Sequence, residues 1–308
     1  MTRRELLLAV AGLLSVPAPS LPAASLATRI DLWPARPPGG GGPDGAVEIS
    51  ARGAMRHIAT PLLEVFAPEQ ANGAAVLVAG GGGYRRIQMG SEAWPAARWL
   101  AARGITAFVL RYRLPGEGWN AGALAPLQDA QRALRLIRAR ATQYGLDPLR
   151  LSVLGFSAGA HLLGLAAMRA DFRAYPPVDA LDALSARPAA AALIYPVMTL
   201  QPPYQHTATR RVLLGAHADA ARAADWSVQT HVRAGCPPVF LVQADDDPVA
   251  DPHNSALLAQ ACAAAGVAVE WHRLPSGGHG FGMGRAGTPT ADWPAWYAAW
   301  LRRMGLIA

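Results

Sequence analysis

The chain has 308 residues, of which 52% are hydrophobic and 16% are charged, and its formal net charge is +7. This composition is typical of a well-packed globular domain and excludes an intrinsically disordered chain. All 28 basic residues are arginine, and they are dispersed along the chain. A nucleic-acid surface has clustered basic residues with interleaved aromatics, so we expect no nucleic-acid partner.

The first 27 residues have the features of an export signal. A twin-arginine pair, Arg3 and Arg4, precedes an apolar run at 6–16. That run is shorter than the about 20 residues that a membrane-spanning helix needs. Small residues favour cleavage after Ala27, with nearby alanines as alternatives. We therefore expect a signal peptide over 1–27, export by the twin-arginine route to the periplasm or outside the cell, and no stable membrane association.

The remaining residues, 28–308, predict a single α/β domain. Residues 28–46 contain several Pro and Gly residues and predict an extended, loop-like beginning, and 56–66 predicts an early strand pair. Apolar runs then alternate with segments of helical periodicity, which is typical of a mostly parallel sheet with helices on both faces. The predicted strands are 75–79, 106–111, 149–154, 191–195, 239–242 and 268–273. The predicted helices are 93–103, 126–144, 158–169, 254–265 and 291–304.

Two stretches interrupt this alternation, 171–186 and 201–235. They come after strands whose carboxyl ends carry the candidate site, so each is expected to form a small cap or a substrate-contacting loop. Tyr204 and Trp226 lie in the second stretch, and Trp119 lies in the loop after Pro115. All three could stack on a sugar, although anchoring of the loop is the simpler interpretation for each one. Tyr84 and Trp119 are our candidate substrate contacts.

The pentapeptide Gly155-Phe156-Ser157-Ala158-Gly159 stands between a predicted strand and a predicted helix. A Gly-x-Ser-x-Gly segment in that position is the sequence form of a nucleophile elbow. The serine occupies a tight turn that projects its hydroxyl from the sheet edge, and side chains at the flanking glycines would collide with neighbouring backbone. Ser157 is therefore the candidate nucleophile.

Candidate acid and base residues follow later strands. Three consecutive aspartates, 245–247, come after the strand 239–242, and His279 lies among glycines after the strand 268–273. An aspartate that orients His279, with His279 as base for Ser157, would complete a Ser-His-Asp triad. The alternatives are an aspartate that caps the next helix and a histidine that only forms a turn. His161, one helical turn beyond Ser157, is expected to support the site rather than act as its base.

An oxyanion hole is expected from the glycines 80–83, which follow the strand 75–79. Glycines allow this loop to bring backbone amides close to a substrate. The expected donors are the amides of Gly82 or Gly83 and of Ala158, the residue after the nucleophile. No Gly-Lys-Ser/Thr sequence follows the glycines, which argues against a phosphate-binding loop. The histidines have no paired ligand spacing, so we expect no metal and no cofactor.

Together these motifs resemble, in order over about residues 60–303, the acetyl-esterase and acetylxylan-esterase-like α/β hydrolases. The segments that carry the resemblance are Gly81-Gly82-Gly83-Tyr84, Trp99-Leu100, Gly104-Ile105, 108–115, 129–132, 155–161, Tyr195-Pro196-Val197, 246–249, Asn254-Ser255 and 277–282. The resemblance implies an α/β-hydrolase fold and hydrolysis of carboxylic esters, often removal of acetyl groups from carbohydrates. It also implies a triad of Ser157, Asp246 and His279, because Asp246 begins the family's Asp-Asp-Pro-Val element. Asp245 and Asp247 are alternatives.

The chain departs from the family at two places near the site. Ala79-Gly80 stands where many relatives have a histidine before the glycines, and Val249-Ala250-Asp251 stands where relatives tend to have Val-Val-Pro. Neither departure touches the triad, but both bear on substrate preference.

We therefore expect a serine esterase that acts on small-molecule or carbohydrate esters. A peptidase or lactone hydrolase of the same fold and a non-catalytic binding protein are the alternatives. The two cysteines, Cys236 and Cys262, are expected to be free thiols, with a disulfide as the alternative.

Overall fold

A computed structural model describes residues 28–307, so the predicted signal peptide over 1–27 lies outside the described residues. The strands are β1 Thr28–Asp31, β2 Glu48–Ile49, β3 Ala54–Arg56, β4 Leu62–Phe66, β5 Ala75–Ala79, β6 Ile87–Gln88, β7 Thr106–Arg111, β8 Leu151–Phe156, β9 Ala191–Ile194, β10 Val239–Ala244 and β11 Val269–Leu274. The helices are α1 Trp94–Ala101, α2 Ala125–Ala139, α3 Ala158–Met168, α4 Ala208–Leu214, α5 Ala220–Asp225, α6 His253–Ala264 and α7 Trp293–Arg303.

The main sheet has eight strands in the order β1-β4-β7-β5-β8-β9-β10-β11. β4 is antiparallel to both β1 and β7, and the pairs from β7 to β11 are parallel. A smaller antiparallel sheet joins β2, β3 and β6. The carboxyl ends of the parallel strands meet at one edge, so loops after β5, β8 and β10 come together there.

The core surrounds the parallel strands. Every residue of β5, β7, β8 and β10 is buried, which explains why these strands are continuous apolar runs rather than alternating ones. Every residue of α3 is also buried. This helix directly follows the predicted nucleophile and is therefore held on all sides.

The predicted mostly parallel sheet covered by helices is confirmed. Strands β5 and β7 have the predicted bounds, whereas β8 begins two residues later than predicted because Leu149 is 79% exposed. The prediction of a loop-like beginning over 28–46 was wrong for its first residues, since Thr28–Asp31 forms an edge strand that pairs with β4. The stretch 201–235 contains the unpredicted short helices α4 and α5.

Two further features bear on the sequence expectations. Cys236 is half-buried, Cys262 is buried, and both are free thiols. Among the helices of residues 28–307, none combines the length and apolar character needed to cross a lipid bilayer.

Candidate active site

Ser157 lies on the sharp turn between β8 and α3. Its φ of 51° and ψ of −117° are strained for a residue with a side chain. The flanking glycines are required by close packing: a Cβ at Gly155 would lie 2.6 Å from the Cα of Ala160, and one at Gly159 would collide with the carbonyl oxygen of Ala79. The pentapeptide therefore forms the elbow that its sequence predicts.

His279 lies between Ser157 and an aspartate. Its Nε2 is 2.8 Å from Ser157 Oγ, and its Nδ1 is 2.8 Å from an oxygen of Asp247. The carboxylate of Asp247 is fully buried, whereas the imidazole side chain is 16% exposed. A carboxylate at Nδ1 selects the tautomer with its proton there, which leaves Nε2 free to accept the proton of the serine hydroxyl.

The structure corrects the predicted aspartate by one residue. Asp246 is exposed and accepts a hydrogen bond from the amide of Gly278 at 2.8 Å, and Asp245 pairs with Arg273 at 3.0 Å. The strand β10 continues to Ala244, and the turn after it directs the third carboxylate inward. Asp247 is held there by donors from Gln243, Val249 and Ala250. Neighbouring carboxylates look alike in the sequence, and the path of the turn decides between them.

The glycine loop after β5 reaches the same place. Gly82 and Gly83 have positive φ values of 120° and 63°, and both line the cavity that contains Ser157 and His279. Ala158 begins α3, so its amide is at the positive end of the helix. In the described part of the chain, none of these three amides donates a hydrogen bond to a protein group. They are thus available to an oxyanion.

Glu92 is a buried carboxylate at this site that the sequence analysis missed. It lies in a π-helical turn, Met89–Ala93, and accepts hydrogen bonds from the amide of Gly81 at 2.6 Å and from the hydroxyl of Tyr195 at 3.0 Å. Burial raises the pKa of Glu92, and the hydrogen bonds from Gly81 and Tyr195 oppose that rise. Glu92 was missed in the sequence because a single glutamate forms no recognisable motif. Its place in a π-helical turn is a structural signal, since such turns are frequent at functional sites.

His161 supports the glycine loop from behind. The hydroxyl of Tyr84 donates to Nδ1 at 2.9 Å, while Nε2 donates to the carbonyl of Trp226 at 2.8 Å. Desolvation lowers the pKa of His161 to about 4, so the ring is neutral near pH 7. The ring therefore connects α3 to the glycine loop and to the segment that follows α5.

The predicted substrate contacts, Tyr84 and Trp119, are buried, and neither lines the cavity at Ser157. Tyr84 is 1% exposed and turns its hydroxyl to His161, and Trp119 is 5% exposed beside the guanidinium of Arg113. Their aromatic faces are used to anchor loops, which was the simpler interpretation for Trp119. Trp226 is also buried, and Tyr204 stacks on His253 at 5.0 Å.

The cavity at the nucleophile has a volume of about 290 Å³. Its described lining residues are Gly82, Gly83, Arg85, Arg86, Gln88, Ser91, Glu92, Ser157, Val197, Thr207, Ala208, Thr209, Val249, His279 and Gly280. A larger depression of about 490 Å³ lies at residues 67–70, Ala101, Ala102 and Gly104, and none of these lining residues is a hydroxyl or thiol nucleophile. We therefore place the candidate substrate site at Ser157.

A mostly parallel eight-stranded sheet, with a serine at a strand-to-helix elbow and a histidine and an aspartate on later loops, defines the α/β-hydrolase fold. The chain matches the BD-FAE family over residues 63–262 and belongs to that family.

Individual relatives agree with this assignment. An acetylxylan esterase from Xylanibacter ruminicola is 30% identical over 225 residues, which are 71% of this chain and 43% of that protein. The chain thus spans less than half the length of this relative. The crystal structure of an acetyl ester-xyloside bifunctional hydrolase from Caldicellulosiruptor lactoaceticus is 31% identical with a TM-score of 0.76, and the match covers 92% of this chain and 98% of that one.

Propionate-bound esterase Est2 from Thermogutta terrifontis has the same fold. Its TM-score is 0.69 at 24% identity, with 88% of this chain and 97% of that chain covered. The expected resemblance to acetyl-esterase and acetylxylan-esterase-like α/β hydrolases is confirmed by the family match and by these relatives.

Proposed function

We propose that this protein is a serine carboxylic-ester hydrolase that removes short acyl groups, above all acetyl, from esters such as acetylated carbohydrates. The observation that carries this proposal is the continuous hydrogen-bonded chain from Ser157 through His279 to Asp247, beside amides that are free to bind an anion. The acetyl group and the carbohydrate are suggested by relatives described as an acetylxylan esterase and as an acetyl ester-xyloside hydrolase.

Acylation begins when Ser157 Oγ attacks the ester carbonyl and His279 Nε2 takes the hydroxyl proton. Negative charge then develops on the carbonyl oxygen, and the amides of Gly82 or Gly83 and of Ala158 stabilise it. Asp247 stabilises the imidazolium that forms. Collapse of the tetrahedral intermediate breaks the bond to the alcohol, which leaves with the proton from His279 and yields an acyl-serine.

Deacylation repeats these steps with water. His279 Nε2 takes a proton from a water molecule, whose oxygen attacks the acyl carbon. The second tetrahedral intermediate uses the same amides and collapses to release the carboxylic acid. The proton on His279 returns to Ser157 Oγ, so atoms and protons balance over the cycle.

The test is hydrolysis of 4-nitrophenyl esters of increasing acyl length, of acetylated xylan and of a peptide amide. Wild type is expected to prefer acetyl over longer acyl groups and to release acetate from xylan, and Ser157→Ala is expected to lose at least about 10³-fold in kcat. Circular dichroism of the variant provides the folding control. No turnover of any ester would favour a binding protein, while faster cleavage of the amide would favour a peptidase; a lactone in the panel tests the lactone-hydrolase alternative.

We also propose that residues 1–27 direct export by the twin-arginine route and are removed. The support is the Arg3-Arg4 pair before a short apolar run. Replacing both arginines by lysine is expected to retain the full-length protein inside the producing cell, measured by fractionation and intact mass. Unchanged export of the variant would contradict the proposal.

A further inference from the structure

Two arginines, Arg85 and Arg86, follow the glycine loop after Tyr84 and line the cavity at Ser157. The amide of Arg85 donates a hydrogen bond to the carbonyl of Gly82 at 3.2 Å. The backbone of Arg85 is therefore fixed by the same turn that contains Gly82 and Gly83. A Cβ at Gly82 would lie 2.9 Å from Cγ of Arg86, which shows that the stem of Arg86 packs on the loop. Both positions are thus tied to the catalytic centre.

Neither guanidinium forms a close ion pair with a carboxylate within residues 28–307, and Arg86 interacts with Glu92 only through longer-range Coulombic attraction. Elsewhere in the described chain, nine arginines form ion pairs with carboxylates: Arg56, Arg111, Arg113, Arg132, Arg169, Arg187, Arg233, Arg273 and Arg303. The acidic residue among the described lining residues is Glu92, which already accepts two hydrogen bonds from the protein. The mouth of the cavity therefore carries positive charge with free donors.

We propose that this cavity binds acetyl esters whose alcohol part carries a carboxylate, as in an acetylated saccharide that contains a uronate. The assignment rests on the proposed esterase function. An acetyl group has two carbon atoms and fills only part of a cavity of about 290 Å³, so the alcohol part must occupy the remaining space. Guanidinium groups bind carboxylates through paired, charge-assisted hydrogen bonds, which matches a uronate better than a neutral sugar.

The test compares acetate release from two forms of one acetylated glucuronoxylo-oligosaccharide, one with a free uronate carboxylate and one with that group converted to a neutral amide. Wild type is expected to show about a tenfold or larger kcat/KM for the acid. The double variant Arg85→Gln/Arg86→Gln is expected to abolish that preference. Arg98→Gln removes an exposed arginine on α1 and serves as the control, with the preference unchanged.

The outcomes separate this inference from the proposed function. Equal kcat/KM of wild type for both forms would overturn the inference. The proposed esterase function would still stand in that case if acetate release depended on Ser157. An equal loss of kcat/KM for both forms in the double variant would also overturn the inference. The arginines would then stabilise the loop without distinguishing a charged from a neutral substrate. Absence of acetate release from every ester would instead defeat the esterase itself.

A second, independent observation concerns Glu92. One of its oxygens receives the amide of Gly81 from the glycine loop, and the other receives the hydroxyl of Tyr195. The same hydroxyl accepts from the amide of Gly282 at 3.1 Å, and the ring of Tyr195 stands edge-on to His279 at 4.9 Å. A single buried carboxylate thus connects the loop that binds the oxyanion with the loop that carries the base.

We infer that Glu92 is a positioning residue that sets the distance between the oxyanion amides and His279. Among the described residues its carboxylate hydrogen-bonds to Gly81 and Tyr195 and not to Ser157 or His279. Because the amide of Gly81 donates its hydrogen bond to Glu92, the amides of Gly82 and Gly83 are the ones that remain available to a substrate. Loss of the carboxylate would free both loops at once and misplace groups that must be aligned only in the transition state.

The test measures kcat and KM separately on 4-nitrophenyl acetate for Glu92→Ala, Glu92→Gln and Tyr195→Phe, with the folded fraction checked by circular dichroism. Glu92→Ala is expected to lower kcat by about 10²-fold with KM changed less than threefold. Glu92→Gln keeps an acceptor for Gly81 and is expected to recover part of that loss. A rise in KM at unchanged kcat, or a glutamine variant no better than alanine, would overturn the inference.

Discussion

Asp247 accepts hydrogen bonds from Gln243, Val249 and Ala250 in addition to its contact with His279. These donors satisfy the oxygens of the buried carboxylate and fix its direction, since a buried polar group is tolerated only when it is hydrogen-bonded. Asp246 instead holds one backbone amide at the surface. At the scale of a residue, the surroundings therefore distinguish two identical side chains: Asp247 contacts His279 and Asp246 contacts only a backbone amide.

We predict that Asp247→Asn lowers kcat for 4-nitrophenyl acetate by about 10³–10⁴-fold, because an amide no longer holds the required tautomer of His279 or stabilises the imidazolium. Asp246→Asn is the matched control. It is expected to lose about tenfold or less, since only the hydrogen bond to Gly278 is weakened. A larger loss for the Asp246 variant than for the Asp247 variant would contradict the assignment.

At the scale of an element, helix α3 is the component around which the site is assembled. Its first residue, Ala158, has an amide without a protein acceptor among the described residues, and its buried His161 accepts a hydrogen bond from the hydroxyl of Tyr84, which follows the glycine loop. The same ring donates to Trp226 next to α5. A neutral imidazole suits this place because it accepts one hydrogen bond and donates the other.

This arrangement predicts an acid-sensitive stability. The folded-state pKa of His161 is lowered to about 4 from 6.5, so the unfolded chain takes up the proton first as pH falls. His161 therefore contributes to the free energy of unfolding in full above pH about 6.5, and this contribution is lost as the pH falls toward 4. The loss amounts to about 3 kcal/mol.

Denaturant unfolding at pH 7, 5.5 and 4.5 measures this effect. His161→Gln, which can still accept from Tyr84 and donate to Trp226, is expected to flatten the dependence on pH. His217→Gln alters an exposed histidine and is expected to leave the dependence unchanged. The same decrease in the free energy of unfolding from pH 7 to 4.5 in wild type and in the His161 variant would refute the prediction.

At the scale of the whole molecule, a buried ion pair joins distant parts of the chain. Arg113 and Asp129 have side chains with 0% exposure and lie 3.0 Å apart, and Asp129 also accepts from the indole of Trp33 at 2.9 Å. The segment after β7, the helix α2 and the beginning of the domain therefore meet at one carboxylate. Removal of one member would leave the other charge buried without a partner.

We predict that Asp129→Asn lowers the free energy of unfolding by about 3–5 kcal/mol, measured by denaturant titration. Glu48→Gln breaks the exposed pair with Arg56, whose side chains are 52% and 68% exposed, and is expected to cost less than about 1 kcal/mol. Comparable losses in the two variants would show that burial does not govern the strength of these pairs.

The order of strands and helices was largely predictable because it depends on local patterns. Continuous apolar runs produced β5 and β7 with correct bounds, and the glycine spacing around Ser157 marked the elbow. The edge strand β1 was missed because its hydrogen bonds come from β4, which is distant in sequence. Helices α4 and α5 were missed because each is short and lies in a mixed segment.

The sequence alone determined the sheet-and-helix alternation, the serine at its turn, and the approximate places of the base and the acid, since each leaves a signature within a few neighbouring residues. The tertiary structure decided that Asp247 is the residue that contacts His279, that Tyr84 and Trp119 anchor loops, and that Glu92 joins two loops. Those outcomes depend on which groups from separate segments meet in space, where burial and hydrogen-bond partners select one side chain among several that are locally equivalent.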